Sequence, residues 1–169
     1  MTLSSHKGGK SKPGGKIVLT ISGGGLFPIP PIPQYTASKH ALVGLTRALA
    51  GGRAALTENI RINAVCPAIV NTEGLPRSLV EKLPADQFTP MSTIIRCFDA
   101  VAELDSVFND DWVEHGRTGE TVEGNGNQLI WHHPLTNAGE GGQFDRSKGV
   151  LIVAQAYEEK KRQAIAKSN

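Results

Sequence analysis

Alternation and periodicity mark out a few elements along the chain. Ile17-Val18-Leu19-Thr20-Ile21 is a short apolar, largely β-branched run ending at Ser22 and three glycines. That is the signature of a strand buried on both faces and stopped by a turn. Residues 27–33 hold four prolines, which forbid a helix and predict an extended loop. From about residue 34 to 56, Ala41, Leu42, Leu45 and Leu49 recur at helical spacing. They predict a helix packed on the sheet through those positions, with Gly51-Gly52 weakening its last turns. Ile60-Arg61-Ile62-Asn63-Ala64-Val65-Cys66 reads as the next strand, so strand, helix and strand make one parallel, right-handed crossover.

Further along, Thr89-Pro90 is a helix start, and Ile94, Ile95, Phe98, Val101 and Ala102 predict the buried stripe of a helix near residues 90–105. Thr121-Val122-Glu123 and Gln128-Leu129-Ile130-Trp131 flank Gly124-Asn125-Gly126, which reads as a hairpin or as a loop into a last parallel strand. The organisation expected is a flexible tail over residues 1–15, a domain over 16–133, a Gly-rich linker over 134–149 and a terminal helix over 150–169. There is no internal repeat.

Composition narrows the class. With 169 residues, 39% hydrophobic and 20% charged, the chain is long enough for one globular domain. A net charge of +2 with scattered basic residues argues against nucleic acid as a partner. Cys66 and Cys97 lack any CxxC or His spacing, so buried thiols are expected. The first sixteen residues have no apolar stretch, and no run of about 18 apolar residues offers a membrane span. A cytoplasmic address is expected.

Candidate chemistry lies at Tyr35 and Lys39, with Ser22 thirteen and seventeen positions before them. On a helix, residues four apart share a face, so a phenol and an ammonium meet in one space. A positive neighbour favours phenolate, which makes the pair a proton donor or acceptor. The Ser22 hydroxyl at a strand end can hold a carbonyl or alcohol oxygen beside that phenol.

These three residues, with Ser22-Gly23-Gly24-Gly25 and Asn63-Ala64-Val65-Cys66-Pro67 around them, resemble the short-chain dehydrogenase/reductases. Residues 35–47 and 60–72 look most like the 15-hydroxyprostaglandin dehydrogenase-like members. The resemblance implies an α/β fold, a partial doubly wound, Rossmann-type parallel sheet with helices on both faces. It implies hydride transfer between NAD or NADP and a secondary alcohol or ketone. Tyr35 would be the general acid/base. Lys39 would lower its pKa and hold the nicotinamide ribose, and Ser22 would orient the substrate oxygen. Pro67, Ala68, Val70 and Thr72 would flank the nicotinamide, with Ala68 standing where the family usually has Gly. Residues 71–88 would form a lid over the substrate, and residues 128–131 would be the last parallel strand.

The family's Gly-rich pyrophosphate turn and Asn-Asn-Ala-Gly segment do not occur before Ser22. The resemblance covers residues 14–133 and corresponds to the second, catalytic half of a family domain. Weak or absent dinucleotide binding is therefore expected of this chain alone. The alternative is a non-catalytic truncated paralogue or an incomplete gene product. Leu26, Phe27, Ile29 and Ile32 suggest a small apolar alcohol or ketone as substrate. A homodimer through the Tyr35–Lys39 helix is a further expectation.

Rival motifs fail on their own residues. Gly9-Lys10-Ser11 lacks the first Gly of a phosphate-binding loop, where Ser4 stands. A hydrolase elbow needs Gly two residues before the Ser, where Thr20 stands. His132-His133 point to opposite faces of a strand and have no third ligand, so a solvated strand end is expected instead of a metal site.

Overall fold

The computed structural model describes residues 14–102, 118–134 and 146–167. The expected tail up to residue 13 and the linker residues 135–145 lie outside the described residues. The chain divides into two units, Met1–Pro134 and Leu135–Asn169.

The first unit is an α/β layer structure. Strands β1 (Gly15–Thr20), β2 (Ile60–Pro67), β3 (Thr121–Asn125) and β4 (Gln128–His132) form one sheet in that order. β1 and β3 each run parallel to β2, in a register that places Leu19 beside Ala64 and Cys66 beside Glu123. Helix α1 (Pro33–Ala50) and the short α2 (Arg53–Thr57) follow β1; α3 (Arg77–Val80) and α4 (Met91–Ala102) follow β2. The Gly51-Gly52 pair is where α1 stops and α2 begins.

Side-chain alternation sorts the two faces. Ile21, Ala64 and Cys66 pack with Val43 of α1, and Ile62 with Ala50 and Ala55. Val65 and Val122 face the other way, onto Ile94, Cys97 and Val101 of α4. Helices therefore cover both faces.

Three expectations are corrected. The stripe by which α1 meets the sheet is Val43, Thr46 and Ala50, whereas Leu45 and Leu49 are 45% and 46% exposed. Small and β-branched residues let the helix axis come close to the sheet, and the leucines fall on its outer side. On α4, Thr93 and Cys97 join Ile94 and Val101 in the core, while Ile95 is exposed. Finally, Gln128–His132 is antiparallel to β3, and the last parallel strand is Thr121–Asn125 itself. Gly126, at φ +54, leads a two-residue turn, which can join only antiparallel strands.

Asn63 sits in the middle of β2, buried, and its Oδ1 accepts the Glu120 N–H at 3.0 Å. This bond docks the chain leading into β3 against β2. In the second unit, α5 spans Arg146–Ala166. No described helix is long and apolar enough to cross a membrane.

Candidate active site

β1 ends one residue short of Ile21, whose N–H still donates to Val65 O at 2.8 Å. Ser22 thus leaves the sheet at the carboxyl end of β1, level with Pro67. Its hydroxyl oxygen accepts the Gly24 N–H at 3.0 Å and caps the 3-10 turn Gly23–Gly25. The hydroxyl proton stays available to a second oxygen. The turn closes with Gly25 N–H to Ser22 O and with both Leu26 and Phe27 N–H to Gly23 O, each at 2.9 Å.

The proline-rich loop returns the chain over this turn. Ile29 N–H donates to Thr36 Oγ1 at 3.0 Å, which fastens the loop to the first turn of α1, where Pro33 stands at the start as a fixed-φ residue should. Tyr35 is thereby laid across Gly24. A methyl on Gly24 would lie 3.1 Å from Tyr35 Cε1, 3.0 Å from Ile29 Cδ1 and 3.5 Å from Ser22 Oγ. Ring and hydroxyl converge on one glycine. Tyr35 remains 40% exposed. Lys39 Nζ lies 5.4 Å from the centre of the Tyr35 ring, within the range over which a cation is drawn to an aromatic face.

Helix and turn are in backbone contact. A methyl on Gly25 would stand 2.9 Å from Lys39 O, so only glycine admits α1 this close. Gly23 likewise abuts Pro67 O and the Ala68 Cα, at 3.5 and 3.7 Å from its own would-be methyl.

Of the residues expected to flank a nicotinamide, Pro67 and Ala68 meet the serine turn. Ala68 N–H donates to Gly124 O at 2.9 Å. Val70 turns into the core beside Val65 and Ile94. Thr72 lines a cavity of about 620 Å³ together with Asn71, Glu73, Leu75, Arg77, Val80 and Glu81. That lining is mixed and polar, built wholly from the segment expected to be a lid.

Three further residues adjoin the site. Cys66 is fully buried and adjoins the Ser22 backbone; burial is the main cause that raises its thiol pKa, against a lowering hydrogen bond from Ser22 and the charges of Arg47 and Lys39. Glu123, buried on β3, receives His132 Nε2 at 2.8 Å and Asn125 Nδ2 at 3.0 Å. Phe27 sets its ring edge to face with His132, centroids 6.0 Å apart and planes at 76°. The two histidines do part to opposite faces, His133 Nδ1 meeting Glu120 Oε2 at 2.7 Å. Neither is a merely solvated strand end, because each supplies the partner that a buried carboxylate needs. No group of three His, Cys, Asp or Glu able to hold a metal occurs among the described residues.

Residues 4–81 match the family model for short chain dehydrogenase. The chain is 34% identical over 122 residues to the short-chain dehydrogenase/reductase prx6 of Penicillium rubens, covering 72% of this chain and 38% of that protein. It is 41% identical over 70 residues to human 15-hydroxyprostaglandin dehydrogenase (NAD(+)), covering 41% of this chain and 25% of that one. A short chain dehydrogenase structure from Salmonella enterica serovar Typhi shares the fold, with TM-score 0.51 at 20% identity over 67% of this chain and 42% of that one. The chain thus spans between a quarter and two-fifths of the length of these curated relatives. By that match and these relatives, the chain belongs to the short-chain dehydrogenase/reductase family.

Proposed function

We propose that the chain carries the proton-transfer site of an NAD(P)-dependent oxidoreductase that interconverts a secondary alcohol and a ketone. The convergence of Ser22 Oγ and the Tyr35 ring on Gly24, with Lys39 Nζ 5.4 Å from that ring, carries the reading. Ser22 accepts from Gly24 and donates to the substrate oxygen, fixing it beside the phenol. Tyr35 gives that oxygen a proton in reduction and takes it back in oxidation. The Lys39 ammonium stabilises negative charge on the phenol oxygen. It makes no hydrogen bond among the described residues and is free to donate to a ribose hydroxyl. The residues present therefore fit the nicotinamide end of a dinucleotide, held by Tyr35, Lys39, Pro67 and Ala68, with Val70 and Thr72 beyond them. When bound, that cofactor supplies or accepts the hydride.

Exposed Phe27 and Ile32 on the loop above Ser22 favour a small apolar alcohol or ketone. The outward row of Leu45 and Leu49 on α1 favours a homodimer through that helix.

The test is Tyr35→Phe in whichever form turns over an alcohol. Only the ionisable oxygen is lost, so the rate falls by about 10²–10⁴-fold with the melting temperature unchanged. A variant keeping more than half the wild-type rate would remove Tyr35 as the proton carrier.

A further inference from the structure

We propose that His132 is a positioning residue for the Ser22 turn: its imidazole, oriented by Glu123, holds the Phe27 ring and, through it, the hydrogen-bonded turn that aims the Ser22 hydroxyl. The inference rests on Ser22 as the group that orients the reacting oxygen, but its readout needs no turnover.

Glu123 is almost fully buried, at 4% side-chain exposure, while His132 is 26% exposed. A carboxylate only accepts, so the 2.8 Å contact is an Nε2–H of His132 donating to Glu123 Oε2. The second Glu123 oxygen is taken by Asn125 Nδ2, so the carboxylate cannot turn away, and the ring plane of His132 is set. Nδ1 is left as the nitrogen at which a second proton would make the ring a cation. Other groups around Glu123 are Cys66 of β2 and, from α1, Lys39 and Arg47, whose charges reach Cys66.

The ring contact at 6.0 Å ties this pair to the site. Phe27 is exposed and its N–H bonds Gly23 O, as does that of Leu26. Gly24 N–H bonds the Ser22 hydroxyl. Ring, turn and hydroxyl are therefore successive parts of one hydrogen-bonded loop of six residues. A cationic imidazolium and a neutral imidazole interact differently with an aromatic ring, whose face is negative and whose edge is positive. Protonation at Nδ1 therefore changes the hold on the far end of the loop, while the Glu123 bond stays in place.

The experiment is a pH titration of the full chain followed by amide and imidazole NMR, on wild type, His132→Asn and Phe27→Leu. The Gly24 and Phe27 amides are expected to move with the same midpoint as the His132 ring in wild type. His132→Asn abolishes that midpoint at both amides. Phe27→Leu, a mild change at an exposed position, abolishes it at Gly24 while His132 still titrates. Glycine amides that stay still while His132 titrates, or that keep their midpoint in either variant, would overturn the proposal. A midpoint matching His40 or His133 instead would do the same. A failure of Tyr35→Phe to slow turnover would leave these shifts unaltered, so the two readings fail separately.

Discussion

Replacing Gly25 by alanine tests whether α1 is seated on the serine turn as closely as the geometry requires. The added methyl would stand 2.9 Å from Lys39 O, 3.2 Å from Lys39 C and 3.0 Å from Ile21 Cγ2. Two of those atoms are helix backbone, which cannot swing aside. Gly25 does not have positive φ, so the cost is packing alone. Overpacking of this kind costs about 1–3 kcal/mol, and relief requires α1 to move off the turn, taking Lys39 away from Ser22. Gly44, on the same helix, is the internal control: a methyl there meets nothing within 4 Å. On an exposed helical position, Gly→Ala gains about 0.5–1 kcal/mol. Each kcal/mol shifts the midpoint by roughly 2–8 °C over this range of domain size. Thermal unfolding followed by circular dichroism should therefore place Gly25→Ala below wild type and Gly44→Ala above it. A Gly25→Ala midpoint at or above wild type would mean that helix and turn are not in contact, and the shared seat of Ser22 and Lys39 would be lost with it.

Burial raises the thiol pKa of Cys66 and of Cys97, so both should resist Ellman's reagent in the folded chain and react fully in denaturant; fast reaction in buffer would refute their burial. A raised folded pKa gives stability that is whole below the ordinary thiol value of about 8.5 and declines as pH rises past it toward the folded value, so urea midpoints should fall on the alkaline side, and less so for a Cys66→Ala, Cys97→Ala double variant. A thermal-shift series with NAD, NADH, NADP and NADPH is expected to give weak or no stabilisation, because the residues proposed to hold a dinucleotide, among those described, fit its nicotinamide end; low-micromolar binding would refute that. Light scattering at micromolar concentration should report a dimer that Leu45→Glu reduces to monomer, and a monodisperse wild-type monomer would count against pairing through α1.

The elements that could be read from sequence are those specified locally. β1, β2 and α1 announce themselves by a β-branched run, a following apolar strand and an apolar period between them, and Ser22, Tyr35 and Lys39 stand out because strand end and helix face fix their spacing. Which side of α1 faces the sheet was not legible: Val43, Thr46 and Ala50 repeat at the same helical spacing as Leu45 and Leu49, and hydrophobicity alone favours the leucines. What decides it is distance, since the contact at Gly25 draws the helix inward and leaves room only for small side chains. The hairpin β3–β4 was legible in its Gly126 turn yet ambiguous in direction, because a turn signal and a parallel strand coexist there. The Glu123–His132 pair had no sequence signal at all, since it links neighbouring strands across an alternation that by itself only separates the two histidines.

The three residues of the proposed proton-transfer site come from the loop after β1 and from α1, and the contacts that set their geometry are nearly as local. Ser22 is fixed by Gly24, Ile29 by Thr36, and Lys39 by the approach of its backbone to Gly25. Among the described residues, the long-range supports include β2 and the residue after it, through Val65, Pro67 and Ala68, and the Phe27 contact with His132. Formation of this geometry therefore requires one strand–helix–strand unit and a packed hairpin. Affinity for a dinucleotide is a different property, because the energy for it comes chiefly from a pyrophosphate held at a Gly-rich turn and helix N-terminus. Site geometry and cofactor affinity are thus separable in this chain. Variants at Gly25 or Phe27 should alter the site without reference to cofactor, and a cofactor titration should be read as a measure of the dinucleotide's other contacts, not of whether Ser22, Tyr35 and Lys39 are in place.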